Sequence, residues 1–305
     1  MNKDLEIIFR DMEEEGLIEK FRARRHIKNV KQIKFIKPDV ERIFIENPSL
    51  SFILKNSNIP QGLVSVASSK MYNLADIQTP QVHLLKPKEK RVATTIQKDI
   101  SDINGFKTIL AGDDVEFTKI GWNVFGKFKW QIFYDFGFQE NLLKIMTNDC
   151  LEQFQNMFLA DELRTDIDRH SKNYFFYKKK DSEKYEGVIV IDLDQMVIFN
   201  YCHGKKDEFD SFLLYPYDSE IPQLKLDNVC YRQRVSDIQE LIQDGVLSKS
   251  NIETLKNLLG YDFPSELRKT CKQQGLRWKS KNDIIDPVER LWEYNNKTIG
   301  KELGL

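Results

Sequence analysis

Residues 166–173 read DIDRHSKN, and residues 173–194 read NYFFYKKKDSEKYEGVIVIDLD. In the first stretch Asp168 and Asn173 stand five residues apart on a loop that directly follows a helical pattern. In the second, the apolar runs NYFFYKKK and GVIVIDLD are joined by DSEKYE, which reads as a β-hairpin. Such a hairpin brings the chain back and sets Asp192 beside Asn173. An acid closing a wholly apolar strand needs a partner, because a buried carboxylate left unpaired is costly. Metal coordination would provide one.

Phosphoryl transfer asks for little covalent chemistry from a protein. It needs a carboxylate near the attacking hydroxyl, ligands for magnesium, and a cation on the nucleotide phosphates. Asp168 suits the first role, and Asn173 and Asp192 suit the second. The spacing of Asp168 and Asn173 equals the Asp-to-Asn spacing of a kinase catalytic loop. Asp194 offers a second carboxylate should the register differ by two.

Outward from this segment the patterns separate into two halves. Upstream of the loop, Leu151, Phe154, Phe158 and Leu159 share one helical stripe from Asp149 onward. Further upstream, VKQIKFI, ERIFIE and SFILK between residues 30 and 55 are short β-rich runs divided by turn formers, and predict three antiparallel strands. A helix is expected from Gly62 to Tyr72, with Leu63, Val66, Ala67 and Met71 on one face, and QVHLLK and RVATTIQ complete a small sheet. The C-terminal third is helical, with starts expected at Ser236, Ser250 and Asp286-Pro287. At the N-terminus Leu5, Ile8, Phe9 and Met12 predict a helix that ends at Gly16, followed by a lysine- and arginine-rich solvated face. The expected architecture is therefore a two-lobed α+β fold: a helical extension over 1–29, a small sheet-rich N-lobe over 30–100, and a helical C-lobe over 101–305 that carries the hairpin.

Composition narrows the function classes. Over 305 residues, 46 Lys and Arg against 47 Asp and Glu leave a net charge of -1, which removes a global electrostatic case for nucleic acid or anionic membrane. With 41% apolar residues and 20 Phe there is material for a sizeable core. The four cysteines are far apart with no CxxC pair, so neither a zinc site nor a disulfide framework is indicated. The scattered histidines show no metal spacing, the tryptophans read as core residues, and HExxH and GxSxG are absent. No apolar run is long enough to span a membrane and the first residues are charged, so a cytoplasmic protein is expected; an exported effector lacking a hydrophobic signal would look the same.

DRHSKN followed by a strand hairpin ending in IDLD resembles the atypical kinases around the HipA-type toxin kinases and the phosphoinositide kinases. The resemblance implies that Asp168 is the catalytic aspartate, His170 the loop histidine that follows it, Asn173 the first metal ligand and Asp192 the second. It implies ATP as phosphate donor with Mg2+ or Mn2+, Lys55 at the end of SFILK on the nucleotide phosphates, and an adenine-binding hinge near Gln97, Lys98 and Asp99. His170 also reads as a structural hydrogen-bond partner of its own loop. A Ser/Thr protein kinase of HipA-like type is the activity implied, with a protein substrate and an antitoxin or regulatory partner. A lipid or small-molecule kinase and a weakly active pseudokinase serving as an interaction protein are the alternatives. Two departures bear on that choice: residues 30–55 contain no glycine, and the helix from Gly62 to Tyr72 contains no acid to pair with Lys55. The NPSLS segment, through its serines and backbone amides, is the replacement expected for the missing Gly-rich loop.

Overall fold

A computed structural model describes residues 30–37, 39–45, 50–89, 92–101, 103, 105–120, 131–166, 169–194, 196, 231–273 and 282–305. The helix expected within 1–29, most of NPSLS, and the expected catalytic residue Asp168 lie outside the described residues.

The β-rich runs after residue 30 form β1 (Val30–Lys37), β2 (Val40–Ile45) and β3 (Leu50–Asn58), each antiparallel to the next. Helix α1 (Ile59–Leu74) follows at once, and β4 (His83–Glu89) and β5 (Val92–Lys98) complete a five-stranded sheet in the order β1-β2-β3-β5-β4. Helix α1 begins three residues before Gly62 because Asn58 and Gln61 form a reciprocal capping box, with Pro60 in the first turn. Its buried face includes Leu63, Val66, Ala67 and Met71, as the periodicity predicts. Gly62 lets the helix lie close on the sheet: a Cβ there would stand 2.7 Å from the Ala93 Cβ on β5.

A second, three-stranded sheet holds the hairpin. Strand β6 (Phe106–Leu110) pairs with β7 (Tyr174–Lys179), which pairs with β8 (Gly187–Val190), all antiparallel. Between residues 106 and 148 lie β6, a 3-10 turn, α2 (Val115–Lys119), α3 (Gln131–Tyr134) and α4 (Phe136–Ile145), none of them expected from the sequence. At four to ten residues these helices are too short to display a full apolar stripe. Helix α5 (Asn148–Arg164), capped by Thr147, runs beneath the hairpin. Phe117, Phe154, Tyr174 and Phe176 pack edge to face or tilted at centroid separations of 4.8–6.4 Å, fixing the hairpin on α5.

The remaining helices are α6 (Tyr231–Gln243), α7 (Lys249–Gly260), α8 (Phe263–Gln273) and α9 (Asn282–Asn295). All three expected helix starts are corrected. Ser236 lies within α6, since Arg232, Gln233 and Arg234 are good helix formers that carry it upstream. Ser248, in a capping box with Asn251, starts α7 instead of Ser250. Helix α9 begins ahead of Asp286-Pro287 because Ile285 joins Val288, Leu291 and Trp292 on its buried stripe. Trp292 stacks on Phe263 and donates to Tyr261 O, a core role. Cys150 and Cys271 are free and buried. Among the described residues no helix is long and apolar enough to cross a membrane.

Candidate active site

The DRHSKN loop is built around an arginine turned inward. Helix α5 ends at Arg164, Thr165 takes a left-handed conformation (φ 59°), and Asp166 N donates to Asp161 O at 2.9 Å. Arg169 then folds back: Nε donates to Asp161 Oδ2 at 3.0 Å, Nη2 donates to Asp166 Oδ2 at 3.2 Å, and Nη1 donates to the carbonyls of Asn173 and Ile191, each at 2.9 Å. The side chains of Asp161, Arg164, Asp166 and Arg169 are at most 1% exposed. Two arginines and two aspartates offset each other's charge, the condition under which ions survive burial. Burial opposes the charge on Arg169, but Asp161 and Asp166 outweigh it and raise its pKa well above the ordinary value. These four residues were not expected at the site, because charged side chains at a helix end carry no local mark of burial; the available signal is the alternation of acid and arginine over residues 161–169.

The end of the hairpin sits against this loop. Ile191 N donates to Asn173 O at 3.0 Å, so the backbones carrying Asn173 and Asp192 are adjacent. Asn173 is buried, and its N–H donates to His170 O at 2.8 Å. His170 Nδ1 accepts from Lys172 N at 3.1 Å, a contact that braces the loop from within.

Lys55, on the third strand of the other sheet, reaches the hairpin end. Its Nζ hydrogen-bonds Asp192 Oδ1 and lies 2.9 Å from Asp194 Oδ2, bridging 137 residues of sequence to Asp192. The carboxylates supply the counter-charge that α1 lacks. Asp192 adopts φ 57°, a left-handed conformation that costs a non-glycine residue energy and collects at functional sites. Burial works against the charge of Asp192, yet Lys55 wins and holds its carboxyl below the usual range. For Asp194 burial and the neighbouring Asp192 charge prevail, pushing its carboxyl up to about 6. Burial lowers the Lys55 pKa, but the two aspartates raise it further, leaving it above its ordinary value.

Gln97, Lys98 and Asp99 stand at the exit from β5, opposite Ser51 to Ile53 of β3. Asp99 is buried and committed to the chain: its carboxylate accepts from Ser51 Oγ and Ser101 Oγ and pairs with Arg42 Nε at 2.7 Å. Its N–H donates to Ser51 O, so any ligand contact there falls to Gln97, Lys98 or the backbone.

The residues fit a divalent cation. Asp194 Oδ1 is buried with no hydrogen-bond partner, beside a second carboxylate, that of Asp192. Among the described residues no three His, Cys, Asp or Glu side chains form a closed metal cage. Magnesium held between one or two carboxylates and a nucleotide's phosphates needs none.

Two antiparallel sheets, a helix lying on the first, and a loop and hairpin packed on a helical region define a two-lobed, protein-kinase-like α+β fold of HipA-like type. Two solved structures to which the chain is similar carry it. One is the Helicobacter pylori proinflammatory kinase CtkA, with TM-score 0.51 and 15% identity over 88% of this chain and 94% of that one. The other is HipA in the Shewanella oneidensis MR-1 toxin–antitoxin complex with HipB and operator DNA, with TM-score 0.52 and 10% identity over 94% of this chain and 71% of that one. No family model and no curated protein matches the sequence. At these identities the likeness is one of fold.

Proposed function

We propose that the chain is an ATP- and magnesium- or manganese-dependent phosphotransferase of the HipA-like kinase type, acting on a Ser/Thr hydroxyl of a protein. The observation that carries this reading is the meeting of Lys55 with Asp192 and Asp194, which joins a strand cation to two carboxylates at the end of the DRHSKN hairpin. The lobes are assigned to residues 30–100 and 101–305, with nucleotide between them.

In this reading Asp168 orients or deprotonates the acceptor hydroxyl. Asn173 and Asp192, with Asp194 beside them, hold the metal, and Lys55 moves from the carboxylates to the nucleotide phosphates. Metal, when bound, neutralises charge that develops on the transferred group. Gln97, Lys98 and the backbone at Asp99 form the edge against the base. His170 acts by holding the loop. The HipA structure, solved with HipB, supports a protein regulator as partner, and a cytoplasmic site of action is part of the same proposal.

The test is to incubate the purified chain with labelled ATP and Mg2+, alone, with cell lysate and with lipid vesicles. Label on serine or threonine of a protein is expected. Label on lipid alone would replace the acceptor class. Metal-dependent ATP binding without any transfer would favour an interaction protein, and absence of ATP binding would overturn the proposal.

A further inference from the structure

One buried side chain from the N-lobe helix enters the arginine cluster. Tyr72, near the end of α1, is 0% exposed. Its hydroxyl donates to Asp161 Oδ1 and accepts from Arg164 Nη1 at 3.1 Å, and its ring lies under the Arg164 guanidinium at 5.3 Å and the Arg169 guanidinium at 5.9 Å. Burial, then Asp161, pushes the hydroxyl far above its ordinary pKa, so it remains a donor at every working pH.

The two arginines hold the two arms of the site. Arg164 Nη2 donates to Leu193 O at 2.9 Å, the carbonyl between Asp192 and Asp194. Arg169 Nη1 donates to Asn173 O and Ile191 O, the carbonyls at Asn173 and just before Asp192. Each metal-ligand candidate therefore has a neighbouring carbonyl pinned by a guanidinium, and both guanidiniums meet at Tyr72. Asp161 satisfies Tyr72 and Arg169 together, so loss of the Tyr72 hydroxyl leaves Asp161 and Arg164 short of a partner in a site that excludes water. Partners lost from a buried charged network are expensive to replace.

We infer that Tyr72 is a positioning residue: through Arg164 and Arg169 it couples the seating of α1 to the placement of the Asn173 loop and the Asp192–Asp194 segment. The inference deepens the phosphotransferase reading and rests on it for its catalytic consequence. Helix α1 has a second tether, the Lys70–Glu266 ion pair to α8, which touches none of the cluster. That pair provides the control.

The experiment compares wild type, Tyr72→Phe and Lys70→Ala as full chains, by backbone hydrogen exchange without nucleotide and by phosphate transfer. Tyr72→Phe keeps the ring and removes only the hydroxyl. Exchange over residues 169–174 and 191–194 should rise about tenfold in Tyr72→Phe, with α7 unchanged, and Lys70→Ala should match wild type there. The kcat should fall about tenfold to a hundredfold, with KM for ATP altered by less than about threefold, since Tyr72 contacts no nucleotide in this reading. Arg164→Lys, which keeps the charge but not the fork, should give the same pattern and serves if Tyr72→Phe does not accumulate folded. Unchanged exchange in both segments, an equal rise in α7, or an unchanged kcat in an active protein would each overturn the inference. A local rise in exchange with a wild type that transfers no phosphate would uphold the coupling and sink the phosphotransferase reading instead.

Discussion

Asp194→Asn should make the metal-free protein more stable at neutral pH while impairing its metal-dependent nucleotide binding. In the fold the Asp194 carboxyl is moved from 3.8 up to about 6, by burial and then by the Asp192 charge, with Lys55 opposing. Each tenfold in proton affinity is about 1.4 kcal/mol, so keeping Asp194 ionised in the folded chain costs about 3 kcal/mol above pH 6. The folded pKa is the higher one. The folded state therefore holds the proton more tightly, and its stability contribution is full below pH 4 and lost as pH rises through about 6. An amide at this position does not ionise and can still accept from Lys55. In EDTA at pH 8 the variant should exceed wild type by up to about 3 kcal/mol, or about 5 °C in Tm. The difference should shrink between pH 6 and pH 4 and vanish below. With Mg2+ and a non-hydrolysable ATP analogue the order should reverse in ligand response, wild type gaining about 2–3 kcal/mol near a hundredfold excess over Kd and the variant much less. Denaturant titrations across that pH range measure the first effect and thermal shifts the second. A variant less stable than wild type at pH 8, or an advantage equal at pH 4 and pH 8, would refute the electrostatic account.

Other variants probe neighbouring parts of the site. Asp192→Ala should abolish the metal dependence of ATP-induced stabilisation; an unchanged metal-dependent thermal shift would move that role to Asp194. Asp168→Asn should retain nucleotide binding in a thermal-shift assay yet lose about 10²–10⁴ in transfer rate, because a carboxylate placed for the acceptor makes little contact with ATP. Thr165→Gly should raise stability by about 1 kcal/mol in denaturant titration, since it relieves a β-branched residue at φ 59° whose buried hydroxyl has no partner. Gly62→Val should lower stability by about 1–3 kcal/mol, because the first added carbon already meets Ala93 Cβ at 2.7 Å.

Much of the fold was legible because its elements carry local patterns. The β-rich runs after residue 30, the apolar stripe of α1 and the two arms of the hairpin announce themselves in windows of four to sixteen residues. The Asp168-to-Asn173 spacing and the acid closing the VIVI strand could be read the same way, since a loop after a helix and a hairpin after a loop are sequence-local events. Helix starts went astray where a nearer cap existed or a buried residue lay ahead of the apparent signal, as at Ser248 and Ile285.

Contacts between residues far apart in sequence come from the fold alone. Nothing near Lys55 in the chain announces that it meets Asp192 and Asp194, because an ion pair across 137 residues leaves no periodic trace. No local pattern marks Arg164 and Arg169 for burial, which depends on Asp161, Asp166 and Tyr72 arriving together from two helices and a loop. The left-handed backbone at Asp192 likewise has no signature in an aspartate flanked by Ile191 and Leu193. Strand and helix periodicity follows from the geometry of neighbouring residues along the chain, whereas the charges of this site are compensated only after the two sheets and α5 have packed.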